Sequence, residues 1–225
     1  MPLRSSSFLC GSTMRLRNKI FLGIALFLVS YPVFLVLWIQ IKPYYGYALT
    51  GVGARLAAVT TGLELENVRH GEEKAEVSFT DLVMTGEGLG EIFLDLKIAV
   101  SDYSFNVPLT FALVAGLFPF FRWRKMTLVE ACLILILIHL SYIYFFCILQ
   151  LFHKLTLAGI RTTSRPVQFF LQFMWTFTDN MVIRFEPFLV AVYLWLRNRT
   201  EDLMFLPSER AARDNPKGSG KQARS

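Results

Sequence analysis

Apolar positions in this chain gather into long blocks separated by short polar stretches, and four of those blocks have the length of bilayer-crossing helices. Residues 20–41 form the first, about 22 residues or roughly 33 Å of helix. Residues 105–121 form the second, which stops at the basic run "RWRK". Residues 126–152, with "LILILIHLSYIYFFCILQLF", are the most hydrophobic. The fourth lies within "FTDNMVIRFEPFLVAVYLWLR" and covers residues 177–196.

Between the first two blocks the pattern changes period. "EIFLDLKIAV", residues 91–100, alternates, with Ile92, Leu94, Leu96, Ile98 and Val100 on one side, as in a half-buried strand. "KAEVSFTDLV", residues 74–83, alternates through Ala75, Val77 and Phe79, and "TGEGLG" between them reads as a hairpin loop. "LELENV", residues 63–68, is a candidate third strand. "YYGYALTGVGARLAAVTTGL", residues 44–63, predicts a helix with Tyr45, Leu49, Val52, Leu56 and Val59 on one broad face. The fold class expected is an α-helical integral membrane protein with about four transmembrane helices and a small α+β extracytoplasmic module between the first and second.

Charge orients this scheme. Arg4, Arg15, Arg17 and Lys19 precede the first span; Arg122, Arg124 and Lys125 fill the turn at 122–125; Arg197, Arg199, Arg210, Arg213, Lys217, Lys221 and Arg224 follow the fourth. Four spans put all three groups on one side, as the positive-inside rule requires. Residues 1–19 and 197–225 are thus expected in the cytoplasm, the tail being partly disordered. Residues 42–104 and 153–176, the latter a loop or interfacial helix, are expected on the opposite, extracytoplasmic side; the larger segment holds ten of the seventeen acidic residues and five basic ones. Residues 166–176 either lie at the interface or extend the fourth span. The first block reads as an uncleaved anchor, since "WIQIKPYYGY" follows it in place of a small-residue cleavage site.

Composition agrees with a bilayer environment: 54% of residues are hydrophobic and 18% charged. The formal charge of +6 does not imply nucleic acid, because the basic residues flank apolar blocks and do not line one surface. Cys10, Cys132 and Cys147 suggest no disulfide framework, and Leu9 before Cys10 argues against a lipid-attachment site. "TGVGAR" and "GEGLG" each hold a G-x-G but lack the strand, helix and lysine of a phosphate loop. His70, His139 and His153 are scattered, so no metal or cofactor is expected. Cys132 and Cys147 share a face of the third span, about 60° apart, with His139 near it. Because Cys132 and His139 would lie about 10 Å apart along one helix, buried cysteine is the preferred reading over a nucleophile pair.

The informative chemistry lies in the fourth span. If hydrocarbon ends near Leu196, Arg184 lies ~10 Å and Glu186 ~13 Å below the outer surface. Charges at such depth face protein or trapped water. Asp179 belongs to the outer boundary. Arg184 can reach outward to Asp179 or Asn180, or to the Ile183 carbonyl, which Pro187 leaves without its helical N–H partner. Glu186 points about 200° away from Arg184 and needs its own partner. His139, at similar depth in the third span, is the candidate. His139, Asp179, Arg184 and Glu186 are therefore expected to form an intramembrane polar cluster, structural or partner-binding.

"YSFNVPLTFALVAG", residues 103–116, in which a strand leads through an aromatic N-V-P-L step into a span, resembles the exosortase-associated membrane proteins, especially those of the H-type exosortase. The order of anchor, external β-rich segment and further spans is similar over residues 20–121. The resemblance implies a non-enzymatic accessory protein beside an envelope protein-sorting transpeptidase, in a bacterial inner membrane of Gram-negative type. The partners expected are the lipid bilayer and another membrane protein, an exosortase by this resemblance. The alternative is a membrane-embedded enzyme or transport subunit that uses Glu186, Arg184 and His139.

Overall fold

The computed structural model describes residues 16–71, 74–85, 88–120 and 125–213. Cys10, the turn residues Arg122 and Arg124, and the tail from residue 214 lie outside these, as do Arg4, Arg15 and Gly86.

Helix α1, Leu16–Thr61, is one uninterrupted element of 46 residues, about 69 Å long and twice the thickness of a hydrocarbon core. The helix at residues 44–63 is thus the continuation of the first span. Lys42 and Pro43 do not break it, since a proline within a helix removes one hydrogen bond and the rest of the ladder continues. The face expected to be buried there is corrected: Val52, Leu56 and Val59 are exposed. What this part of α1 buries is Gly46, Leu49, Thr50, Gly53, Ala54, Ala57, Ala58 and Thr61, a stripe of mostly small residues at helical spacing. Small residues let helices and sheet approach closely; a Cβ on Gly53 would lie 2.5 Å from the Ile143 Cγ2. Gly62, at φ +72°, then ends the helix in the left-handed conformation that glycine adopts without strain.

Three antiparallel strands follow: β1 (Glu64–His70), β2 (Lys74–Thr85) and β3 (Gly88–Ala99), in the order β1-β2-β3. The β2–β3 register runs from Lys74↔Ala99 to Thr85↔Gly88, and β1 slips past a bulge between Leu65 and Asn67. Ala75, Val77, Phe79, Leu94, Leu96 and Ile98 face inward and are buried. They close a core with Leu49, Ala54, Ala57 and Ala58 of α1, and with Tyr142, Ile143, Cys147, Ile148, Leu151 and Leu155 of the next long helix. Cys147 thus packs as a small apolar side chain. The outward face carries polar cross-strand pairs: Lys97 with Glu76 at 2.9 Å, and the Ser78 hydroxyl donating to Asp95 at 2.6 Å. The Glu76 carboxylate beside it raises the Lys97 pKa.

The sheet passes directly into α2 (Val100–Ser104), then α3 (Val107–Gly116) and a short 3₁₀ turn. Pro108 occupies the first turn of α3, where a missing N–H leaves no helical partner unsatisfied. Helix α4, Lys125–Leu157, ends with Gly159 at φ +70°. Arg161, just beyond it, donates to the Thr61 carbonyl at 2.5 Å and lies 3.5 Å from the Asp81 carboxylate, tying this connection to the end of α1.

Helix α5, Arg165–Phe177, runs through a π-helical turn, Thr178–Ile183, into α6, Arg184–Arg213. Residues 166–176 are therefore helical and continuous with α6. A second small core joins Val114 of α3, Ala131 and Leu135 of α4, and Val190 and Leu194 of α6. Glu130 and Arg197 form an ion pair between α4 and α6. Among the described residues, three segments are long and apolar enough to cross a membrane: Leu16–Thr61, Val100–Phe120 and Met126–Leu157. The protein is mostly helical, with one small sheet.

Candidate functional site

The unbroken α1 brings Tyr45 to the level of the middle of α4, where His139 points into the bundle. The first turn of α6 brings Glu186 to the same level from the other side. Tyr45 Oη and His139 Nδ1 share a hydrogen bond of 2.7 Å, and His139 Nε2 and Glu186 Oε2 share one of 2.8 Å. His139 and Glu186 are both wholly buried. Helix α3 adds Thr110, whose hydroxyl donates to the Asn106 carbonyl at 3.0 Å and stands 3.4 Å from Glu186 Oε1. Three helices besides α4 thus contribute to one polar chain.

Aromatic rings enclose it. Tyr45 meets the imidazole edge-on at 5.7 Å, and Tyr103 of α2 lies 5.4 Å from it, tilted by 59°. Tyr103 then packs on Tyr142, and Tyr142 on Trp175 of α5 at 4.7 Å. Tyr45 also borders an apolar groove of about 340 Å³ lined by Trp38, Phe111 and Cys132. Cys132 sits in that groove, while both ring nitrogens of His139 are engaged elsewhere.

Chemically the chain has two complete arrangements. With one net negative charge, Tyr45 donates to Nδ1 and the Nε2–H donates to the carboxylate. One added proton makes it neutral: Nδ1–H then donates to Tyr45 Oη, and a proton lies between Nε2 and Oε2. Both leave the ring nitrogens and Oε2 partnered, which is what a buried polar network requires.

Asp179 and Arg184 do not join this chain. They line a separate cavity of about 610 Å³ with Ser101, Asp102, Phe105 and Ile183. The expected cluster of four is therefore two groups. A two-residue step in α6 sets Arg184 and Glu186 about 200° apart, and the π-turn before them brings Asp179 to the Arg184 side. An α-helix would set residues 179 and 184 about 140° apart, whereas i→i+5 bonding winds the chain more loosely and brings both to one cavity. The Ile183 carbonyl freed by Pro187 is also satisfied differently from expectation. The Asn106 side-chain amide donates to it at 2.7 Å, in place of Arg184.

Sequence reasoning missed Tyr45, Asn106 and Thr110 as members of the site. The signal available was the spacing of Asn106 and Thr110, two polar residues four apart at the head of an apolar block, hence on one helical face.

A family model described as exosortase H-associated membrane protein matches residues 15–199, which include every residue of both groups. No curated protein and no solved structure matches the chain.

Proposed function

This chain belongs to the exosortase H-associated membrane proteins, and on that premise we propose that it is a non-catalytic accessory subunit of an exosortase-type protein-sorting system. It lies in a bacterial inner membrane, spans it four times with residues 177–196 as the last crossing, and keeps both termini in the cytoplasm. The sheet and the outer part of α1 stand in the periplasm, where they meet the partner.

One observation carries the non-catalytic reading: the buried group spends its polar atoms on itself. His139 Nδ1 is bonded to Tyr45 of α1, His139 Nε2 and Glu186 Oε2 are bonded to each other, the Thr110 hydroxyl of α3 stands beside Glu186 Oε1, and Asn106 closes the Ile183 carbonyl. Such a group acts as a clasp that sets the register of four helices. Removing one member leaves a buried, unpartnered polar group, at about 3–5 kcal/mol when the pair is charged.

The test is affinity purification from native membranes with wild type, His139→Ala and Glu186→Gln. The clasp reading expects an exosortase to accompany the wild type, and both substitutions to lower protein level or partner recovery together. If sorting activity vanishes while insertion, level and recovery stay normal, the group performs chemistry and the clasp reading fails.

A further inference from the structure

The cavity that takes Asp179 and Arg184 sits where the sheet joins the helical bundle. On one side α2, which leaves β3 without a linker, contributes Ser101, Asp102 and Phe105. On the other the π-turn and the start of α6 contribute Asp179, Ile183 and Arg184. Asp102 and Arg184 are exposed and Asp179 is half-buried. None of the three makes a hydrogen bond or ion pair with another described residue. A guanidinium without a counter-ion at the edge of hydrocarbon is unfavourable, and so are two carboxylates without a cation. A space of about 610 Å³ separates and serves all three.

The complement to this lining is a single group carrying both charges: an anion for Arg184, a hydrogen-bonding cation for Asp102 and Asp179, and a hydrocarbon continuation past Phe105 and Ile183. We propose that the cavity binds the head group of a zwitterionic phospholipid with a primary ammonium, phosphatidylethanolamine, from the leaflet on the sheet side. The guanidinium takes the phosphate through its paired N–H groups. The ammonium offers three N–H donors to the two carboxylates. A trimethylated ammonium, as in phosphatidylcholine, has no such donor. Phosphatidylglycerol brings a phosphate without a cation to a cavity with two carboxylates and one guanidinium. This site requires only that the helices lie in a bilayer, and is independent of which protein the chain accompanies.

The test uses the purified full-length chain in detergent, offered equal amounts of the three lipids with identical acyl chains, with retained lipid counted by native mass spectrometry. Phosphatidylethanolamine is expected to be retained about tenfold or more over the others, the ratio that one charge-assisted hydrogen bond supplies. Arg184→Gln, and Asp102→Asn with Asp179→Asn, should each lower that retention about tenfold, and Arg184→Lys should keep part of it. Should one variant misfold, the other set carries the test. Excess soluble glycerophosphoethanolamine should leave the bound lipid in place. Equal retention of the three lipids overturns the proposal, as does unchanged retention in the variants. Displacement by the soluble head group assigns the cavity to a free phosphodiester. Variants that hold lipid normally but lose a co-purifying membrane protein assign it to a protein contact. Either result also overturns the proposal.

Discussion

Asn106 shows what one side chain decides in a bundle whose backbone is otherwise regular. Pro187 cannot donate to the Ile183 carbonyl, and Ile183 is buried, away from water that could replace the lost partner. The Asn106 amide reaches across from the start of α3 and closes that acceptor at 2.7 Å. Asn106→Ala is therefore expected to destabilise the protein by about 1–3 kcal/mol, the range for an orphaned buried polar group. Thermal unfolding in detergent measures it, and an unchanged midpoint would mean that another donor already serves the carbonyl. The freed carbonyl was legible in the sequence because it follows from proline chemistry alone. Its partner was not, because no local rule links a residue at 106 with an acceptor at 183. The contact between His139 and Glu186 lay between these cases: matching depth in two apolar blocks suggested the pair, while Tyr45 required knowing that α1 does not stop at Lys42.

Glycine sets the spacing of the long helices. Gly23 of α1 and Gly116 of α3 meet so closely that a Cβ on Gly23 would lie 2.7 Å from the Gly116 carbonyl oxygen, a backbone atom that cannot rotate aside. A Cβ on Gly46 would strike the branched Val100 side chain. By contrast Gly51, on the same helix, has nothing within 4 Å of the added position. Gly23→Ala is expected to lose about 1–3 kcal/mol by overpacking. Gly51→Ala should be neutral or gain up to about 1 kcal/mol through reduced chain entropy. Parallel thermal unfolding of the two variants checks this, and equal effects would show that the α1–α3 approach is not what constrains Gly23. At this scale the strands were the clearest reading, because alternation reports directly on a half-buried sheet. The apolar face of α1 was legible only in part. Leu49 and Tyr45 meet the core, but Val52, Leu56 and Val59 point away from it and a row of small residues makes the close contact, which hydrophobicity alone does not rank.

At the scale of the whole molecule the prediction concerns topology. Reporter fusions at Gly86 and Gly218, both outside the described residues, should read periplasmic and cytoplasmic respectively if the helix through residues 177–196 crosses the bilayer. A periplasmic signal at Gly218 would leave three crossings and put the tail outside. By itself the sequence determined that this is a membrane protein with a small β-rich insert, because block length and alternation are properties of neighbours along the chain. It also singled out His139 and Glu186, because burying an ionisable group in hydrocarbon is costly wherever the helices go. Only the tertiary structure decided that α1 is one helix reaching from bilayer to sheet, since that depends on what its small-residue stripe packs against. It alone placed Asp179 beside Arg184 on one open cavity, because the π-turn between them changes the helical phase by an amount that sequence spacing does not encode.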